Sequence, residues 1–410
     1  MAKHILFICH RIPFPPNKGE KIRSFHMLRH LAERHDISLA FLFDDPEDRR
    51  HIAPLEDLVF TVVFDYLPAT AKKIRSLLAL AGQAPLTVPY FYSSKLQQEI
   101  DELLAGRPVD AVFCSSSPSA EYIFRSRHYR DRLRQVPWFM DLIDVDSQKW
   151  QQYAQSSPWP FSWVYRREAT TLLAYERRIE REFSHLFVTS EVERDLFLSL
   201  IRSEKISAIA NGVDLAFFNP SHRASLDVDI PGPAIVFTGA MDYKPNIDGV
   251  LWFADKVFPL IRQHCPSAVF LVVGSKPAAA VRSLADRDNI RVTGFVHDVR
   301  DYLATADICV APLLIARGIQ NKVLEAMAMG KPLVCTPQAL EGIEAQNGEE
   351  AMVEKEPQGF ADQICRLLSD RDLANAIGQR ARRLMERRYS WEQNLNRLDA
   401  VLQKGIKRIP

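Results

Sequence analysis

The sequence predicts an α/β protein made of two Rossmann-like, doubly wound halves, and three observations predict it. Short apolar runs of strand type recur along the whole chain with helical-looking segments between most of them, the alternation of a parallel sheet. The series is interrupted once, by a Pro-, Asp- and Ser-rich connection over residues 220–233, and then starts again. At 410 residues the chain is also too long for one ordinary core, so two domains of about 200 residues are the default.

The first half opens with the buried-type run His-Ile-Leu-Phe-Ile-Cys over residues 4–9, a Pro- and Gly-containing loop over 11–21 and an amphipathic segment over 22–34. Strand, loop and helix in that order begin a doubly wound domain, whose ligands sit beyond the carboxyl ends of its strands. Gly19 in that loop gives a ligand room to close on the backbone, but a single glycine is far short of G-x-G-x-x-G, so a dinucleotide site has little support. Further strands are expected at 37–43, 59–66, 111–116, 138–143 and 185–190, with helices over 94–105 and 165–182 among the segments between them. Residues 69–92 join Lys72, Lys73 and Arg75 to an apolar run and the cluster Tyr90-Phe91-Tyr92, a mixture that suits either a helix packed on its own domain or a peripheral contact with a membrane. The strand over 138–143 runs into Asp144 and Asp146, which stand where general-base or hydroxyl-binding work is done, or where Asp before Ser caps a helix. Asp144-Val-Asp146 also has a metal-binding D-x-D pattern, but no clustered His or further carboxylate supports a metal there.

The domain change falls near residue 205. A strand over 206–210 and the turn Asn211-Gly-Val-Asp214 lead to strands at 235–240, 269–274, 290–294, 308–314 and 333–336. The loop after 235–240 offers Gly239, Lys244 and Asn246 to an anion, and Gly274 ends the next strand in the same way. Residues 316–331 read as a loop and one helix of a βαβ unit. Gly318 at the helix entry lets backbone N–H groups approach a ligand, and the positive end of the helix favours a diphosphate. Lys322 and Glu325 are three apart and share a face, so one can meet phosphate while the other accepts from sugar or ribose hydroxyls; a solvated pair is the plainer alternative. Residues 360–388 are helical in pattern and strongly charged, and Ser390 starts a last helix that can pack back across both domains.

Composition narrows the classes of function. The net charge is +1 and evenly spread, with 28 Lys/Arg against 27 Asp/Glu in residues 1–205 and 24 against 24 in the rest, so no basic stripe calls for nucleic acid. Six cysteines are scattered without a C-x-x-C pair, most of them in apolar runs, which fits a reducing compartment. The first apolar run is too short for a signal peptide, and no run approaches a membrane span, so a cytoplasmic protein is expected.

Taken jointly, Asn211-Gly-Val-Asp214, the glycine-lysine loop from Gly239 to Lys244, Val272-Val-Gly274, Thr293-Gly-Phe-Val296, Ala306-Asp307 and Asn321-Lys-Val-Leu-Glu-Ala-Met-Ala328 resemble glycosyltransferase family 4 (glycosyl transferases group 1) of the GT-B fold. Residues 139–150 further resemble sugar transferases associated with PEP-CTERM/exosortase exopolysaccharide systems. The resemblance implies two Rossmann-like domains facing across a cleft: an acceptor domain over 1–205, a nucleotide-sugar donor domain over 206–388, and a helix over 389–410 crossing back to the N-terminal domain. It implies transfer of a sugar, with retention and without metal or other cofactor, from a UDP- or GDP-linked donor to a glycan or lipid-linked acceptor in exopolysaccharide synthesis. The work would be done in the cytoplasm or against the cytoplasmic face of the inner membrane.

By the same resemblance Glu325 binds the ribose hydroxyls, Lys244 the diphosphate, and Gly318 with the following helix start the phosphate or sugar. Gly19 faces the donor phosphate and acceptor, while Gly239, Asn246, Gly274, Val296, Asn321 and Lys322 complete the donor set. Three departures stand out. Arg317 replaces the first of a frequent glutamate pair, Ala240-Met241 stands where an arginine is usual, and the common first-domain histidine is absent, leaving Asp144, with Asp146 beside it, as the polar group near the reacting sugar. Asp144, Asp146, Lys244 and Glu325 are thus the residues expected to carry the reaction. The same two-domain scaffold also serves a nucleotide-sugar epimerase or hydrolase, and the altered pair leaves a non-catalytic nucleotide-sugar-binding protein as a further alternative.

Overall fold

Apolar runs that bury both faces become the strands of two parallel sheets. The computed structural model describes residues 2–407 except 17–18, 69, 71, 73–74, 77–78, 81, 227–229 and 317. The chain divides into two compact units, one formed by Met1–Ile209 with Leu395–Pro410 and the other by Ala210–Asn394.

In the first unit β1 (His4–Cys9), β2 (Asp36–Phe43), β3 (Thr61–Tyr66), β4 (Ala111–Ser115), β5 (Trp138–Ile143), β6 (His185–Val188) and β7 (Ile206–Ala208) form one sheet. Their order is β3-β2-β1-β4-β5-β6-β7 and every pairing is parallel. Strands are laid down to one side of β1 and then to the other, so the order reverses between β1 and β4, where a doubly wound sheet opens a crevice for ligand. The helix Gly19–Ala32 that follows β1 is locked to the middle of the sheet by a fully buried ion pair. Arg23 Nε donates to both carboxylate oxygens of Asp141 at 3.0 and 2.8 Å, Nη2 to Oδ1 at 2.8 Å, and Nη1 to the Ile209 carbonyl at 2.7 Å. One side chain therefore ties together the first helix, β5 and the chain just past β7.

The second unit holds β8 (Ala234–Thr238), β9 (Val269–Val273), β10 (Ile290–Gly294), β11 (Ile308–Ala311), β12 (Leu333–Cys335) and β13 (Met352–Val353). Their order, β10-β9-β8-β11-β12-β13, is again parallel throughout and reverses between β8 and β11. Two Rossmann-like sheets, one in each unit, are thus the architecture, as the sequence predicts. β13 has only two residues and no periodic signal, and it was not expected. The helical stretch expected over 360–388 is two helices, Pro357–Ser369 and Arg371–Arg388, because the Asp370 carboxylate accepts from the Leu373 N–H at 2.9 Å and caps the second.

The last helix, Trp391–Lys407, groups from Leu395 onward with the first unit. There it buries Leu395, Leu398 and Leu402, its Asp399 meets His30 Nε2 at 3.0 Å, and Gly405 lies so close to Phe139 that an added Cβ would stand 2.6 Å from the ring. The basic patch expected near residue 72 is turned inward. Lys72 is fully buried, its Nζ 2.9 Å from Asp44 and about 5 Å from the Tyr90 and Phe91 rings, and Arg75 donates to the Tyr92 carbonyl at 2.6 Å. Lys73 lies outside the described residues. Among the described residues no helix is long and apolar enough to cross a membrane.

Candidate functional site

Two glycines at the ends of neighbouring strands make the floor of the candidate site in the second unit. Gly239 follows β8 and donates its N–H to the Val273 carbonyl at 2.9 Å, while Gly274 follows β9. A Cβ on Gly274 would stand 1.7 Å from the Gly239 carbonyl oxygen, so the two backbones touch and only glycine fits. Over Gly239 lie two side chains from later elements: a Cβ there would stand 2.7 Å from Asn246 Nδ2 and 3.2 Å from Lys322 Nζ. Asn246, in the helix Lys244–Trp252, donates to the Ala240 carbonyl at 2.8 Å and accepts from Lys322 Nζ. That ammonium also sits 4.8 Å above the Phe237 ring.

Lys322 comes from the helix Asn321–Ala328, which follows β11 at the point where the strand order reverses. Burial pulls its pKa down to about 8, against the opposing pull of the Glu325 carboxylate. Glu325, one turn along, is pushed up to about 7 by burial, with Lys322 holding it lower than burial alone would. The helix start is also unfinished chemically. Gln320 at its N-cap makes no side-chain capping bond, and Asn321 Oδ1 is buried without a hydrogen-bond partner among the described residues. Free N–H groups at a helix start, with a half-buried ammonium beside them, can receive an anion.

Several expectations change. Gly318 is buried with φ of 64°, but it precedes the first helical residue by three positions and shapes the approach, its carbonyl accepting from Gln320 Nε2 at 3.1 Å. Lys244 is largely exposed and pairs with Asp248 at 2.8 Å, one helical turn away on the solvent side. The cation over the glycine floor is Lys322, and Lys244 would have to leave Asp248 to join it. Val296 is half-buried and packs on the second unit's hydrophobic core, which gives it a structural place. Arg317 lies outside the described residues.

The remaining expected residues belong to the first unit. Gly19 is exposed at the first position of its helix. Asp144 follows β5, whose last residue, Ile143, has φ of 71°. Its half-buried carboxylate accepts from Thr189 Oγ1 at 3.2 Å, and burial raises its pKa against the pull of Lys149. Asp146 is the first residue of the helix Asp146–Ser156, one position inside the N-cap. Two buried acids not anticipated from the sequence hold this turn. Glu193 accepts from the Val145 N–H at 2.8 Å, and Glu176 accepts from the Ser147 N–H at 3.1 Å and its hydroxyl at 2.6 Å. Burial pushes Glu176 up to about 8. Its position was readable: it lies four residues after Leu172 and three before Ile179, on the buried stripe of the helix Phe161–Glu182. Among the described residues the one group with metal-ligand geometry is His222, Asp298 and Asp301 of the second unit, which does not include the D-x-D pair, and Arg300 already forks onto Asp298.

Comparison with known proteins agrees with this architecture. Residues 232–370, which carry the glycine floor and the Lys322 helix, match the family described as glycosyl transferases group 1. The class so defined is a two-sheet GT-B protein with a glycosyl transferases group 1 segment, and the resemblance read from residues 211–328 is borne out. The chain is 25% identical over 227 residues to "Putative glycosyltransferase YtcC" of Bacillus subtilis, a match spanning 48% of this chain and about half, 54%, of that protein. Its structure is similar to a sucrose-phosphate synthase from Thermosynechococcus elongatus, with TM-score 0.73 and 18% identity over 98% of this chain and 99% of the other. It is also similar to Anabaena Alr3699/HepE in complex with UDP-glucose, with TM-score 0.67 and 15% identity over 98% and 100%.

Proposed function

We propose that the chain is a retaining, metal-independent glycosyltransferase of the cytoplasm, moving a sugar from a UDP- or GDP-linked donor to a polysaccharide precursor or lipid-linked acceptor in exopolysaccharide synthesis. The observation that carries this reading is the Gly239–Gly274 floor with Lys322 held above it and Glu325 one turn further on. Bare backbone lets a diphosphate approach closely, and a half-desolvated ammonium attracts it more strongly than one in water. When ionised, Glu325 offers two acceptors to vicinal ribose hydroxyls, and the N–H groups at the start of the Asn321 helix offer donors to phosphate oxygens. Such a transfer asks the protein for positioning and for stabilisation of the departing diphosphate rather than for covalent chemistry. Asp144 and Asp146 are assigned to the acceptor side, beyond the carboxyl end of β5. A structural relative crystallised with UDP-glucose supports the donor class.

A thermal-shift screen with UDP, GDP, ADP and their sugars, followed by incubation of the stabilising donor with lipid-linked acceptors, tests the proposal. One nucleotide series is expected to raise the melting temperature, since ligand at 100 times its Kd adds about 2.7 kcal/mol, and Lys322→Ala should abolish the rise. No shift with any nucleotide removes the reading. Donor breakdown that never needs an acceptor points to a hydrolase or epimerase instead.

A further inference from the structure

Four exposed aromatic side chains crowd one helix–helix turn of the first unit. Where the helix Asp146–Ser156 turns into the helix Phe161–Glu182, Trp159 is 82% exposed, Phe161 57%, Trp163 55% and Tyr153 42%. These are not isolated apolar side chains. The Phe161 ring lies 6.2 Å from Tyr165, which lies 5.3 Å from Trp150 and 6.1 Å from Tyr153, so these four rings form one body, and Trp159 and Trp163, two positions either side of Phe161, extend the exposed tip. Contiguous exposed aromatics of this kind mark an interaction surface.

The charge pattern selects the partner. Residues 150–165 contain no Lys, Arg, His, Asp or Glu, and the span 147–167 contains Lys149, Arg166 and Arg167 but no Asp or Glu. A second charge-free stretch, residues 76–94, runs alongside: Arg167 Nη2 donates to the carbonyls of Ala79, Gly82 and Ala84, and Glu168 is turned inward to accept from Thr87. An aqueous protein interface is bordered by polar groups of both signs. Here the exposed Arg166 borders a centre of Trp, Tyr and Phe, the composition of a surface that enters the headgroup layer of an anionic bilayer.

We propose that this aromatic tip docks the first unit onto an anionic phospholipid surface, with Trp159, Phe161 and Trp163 entering the interface and Arg166 meeting the headgroups. The membrane contact thus lies at the helix–helix turn, and not at Lys72, whose charge is spent inside the unit. The inference does not depend on the sugar-transfer reading.

Sedimentation of the full chain with sucrose-loaded vesicles of phosphatidylethanolamine and phosphatidylglycerol, with phosphatidylcholine vesicles as the neutral reference, tests it. The protein is expected to pellet with the anionic vesicles and to shift its tryptophan emission to the blue. Combining Trp159→Ser, Phe161→Ser and Trp163→Ser should lower partitioning at least about tenfold, and Arg166→Glu should weaken binding to anionic vesicles alone. Trp159→Ser by itself repeats the readout with one exposed side chain changed. A wild-type protein left in the supernatant, or a triple variant that pellets like wild type, overturns the proposal. So does a wild-type dimer in sedimentation velocity that the triple variant dissociates while vesicle binding is unchanged, because the tip would then be covered by a second copy.

Discussion

Burial works against the charge of both Lys322 and Glu325, and so gives the glycine floor a narrow working pH. With Lys322 lowered to about 8 and Glu325 raised to about 7, both are charged mainly between those values. Nucleotide affinity is expected to peak there, falling at higher pH as the ammonium loses its proton and at lower pH as the carboxylate gains one. Titration calorimetry across this range reads both limbs, and Glu325→Gln should remove the acid limb while keeping the alkaline one. For folding the signs differ. Above pH 8 the unfolded chain keeps a lysine proton the folded chain has released, so this residue adds stability as pH rises toward its ordinary value; Glu325 does the reverse between its ordinary value and pH 7. Gly274→Ala forces a Cβ against the Gly239 carbonyl and is expected to cost about 3 kcal/mol or more. Gly294→Ala has open space and only a left-handed φ to oppose it, so about 1 kcal/mol is expected by the same denaturant titration.

At the scale of elements, the turn after β5 depends on acids beneath it. Because Glu176 stays protonated in the fold up to about pH 8, stability should decline as pH rises from its ordinary 4.5 through that value, and Glu176→Gln should flatten the decline in urea melts taken across the range. Arg23→Met should cost about 3–5 kcal/mol, since it leaves Asp141 buried and unpaired. The strands were the legible part of this layer. β1 and β5 match their apolar runs end to end because an inner parallel strand is covered on both faces, and β10, a half-buried edge strand with Arg291 and Thr293, ends where Gly294 turns at φ of 69°. The Asp370 cap that splits two helices has no signal of its own in the charged, periodic stretch over 360–388. Lys244 and Lys322 were both found as cations near glycines, but spacing along the chain does not say which one turns toward solvent and which lies over Phe237. Lys72 left two readings open for the same reason, since its counter-ion Asp44 is 28 positions away.

On the scale of the molecule, the two units have separate cores and sheets, so calorimetry is expected to resolve two transitions. Leu398→Ala, in a side chain fully buried in the first unit, should lower one of them by about 2–5 kcal/mol and leave the other in place. A single transition moved as a whole would show that the units melt together.

That late helix carries a consequence for biosynthesis. Residues 210–394 must all be synthesised before the segment that covers the first unit's apolar face is made. The nascent N-terminal half therefore waits through roughly 10–40 seconds of translation with that face bare, and keeping it from aggregating in the interval falls to chaperones rather than to its own packing.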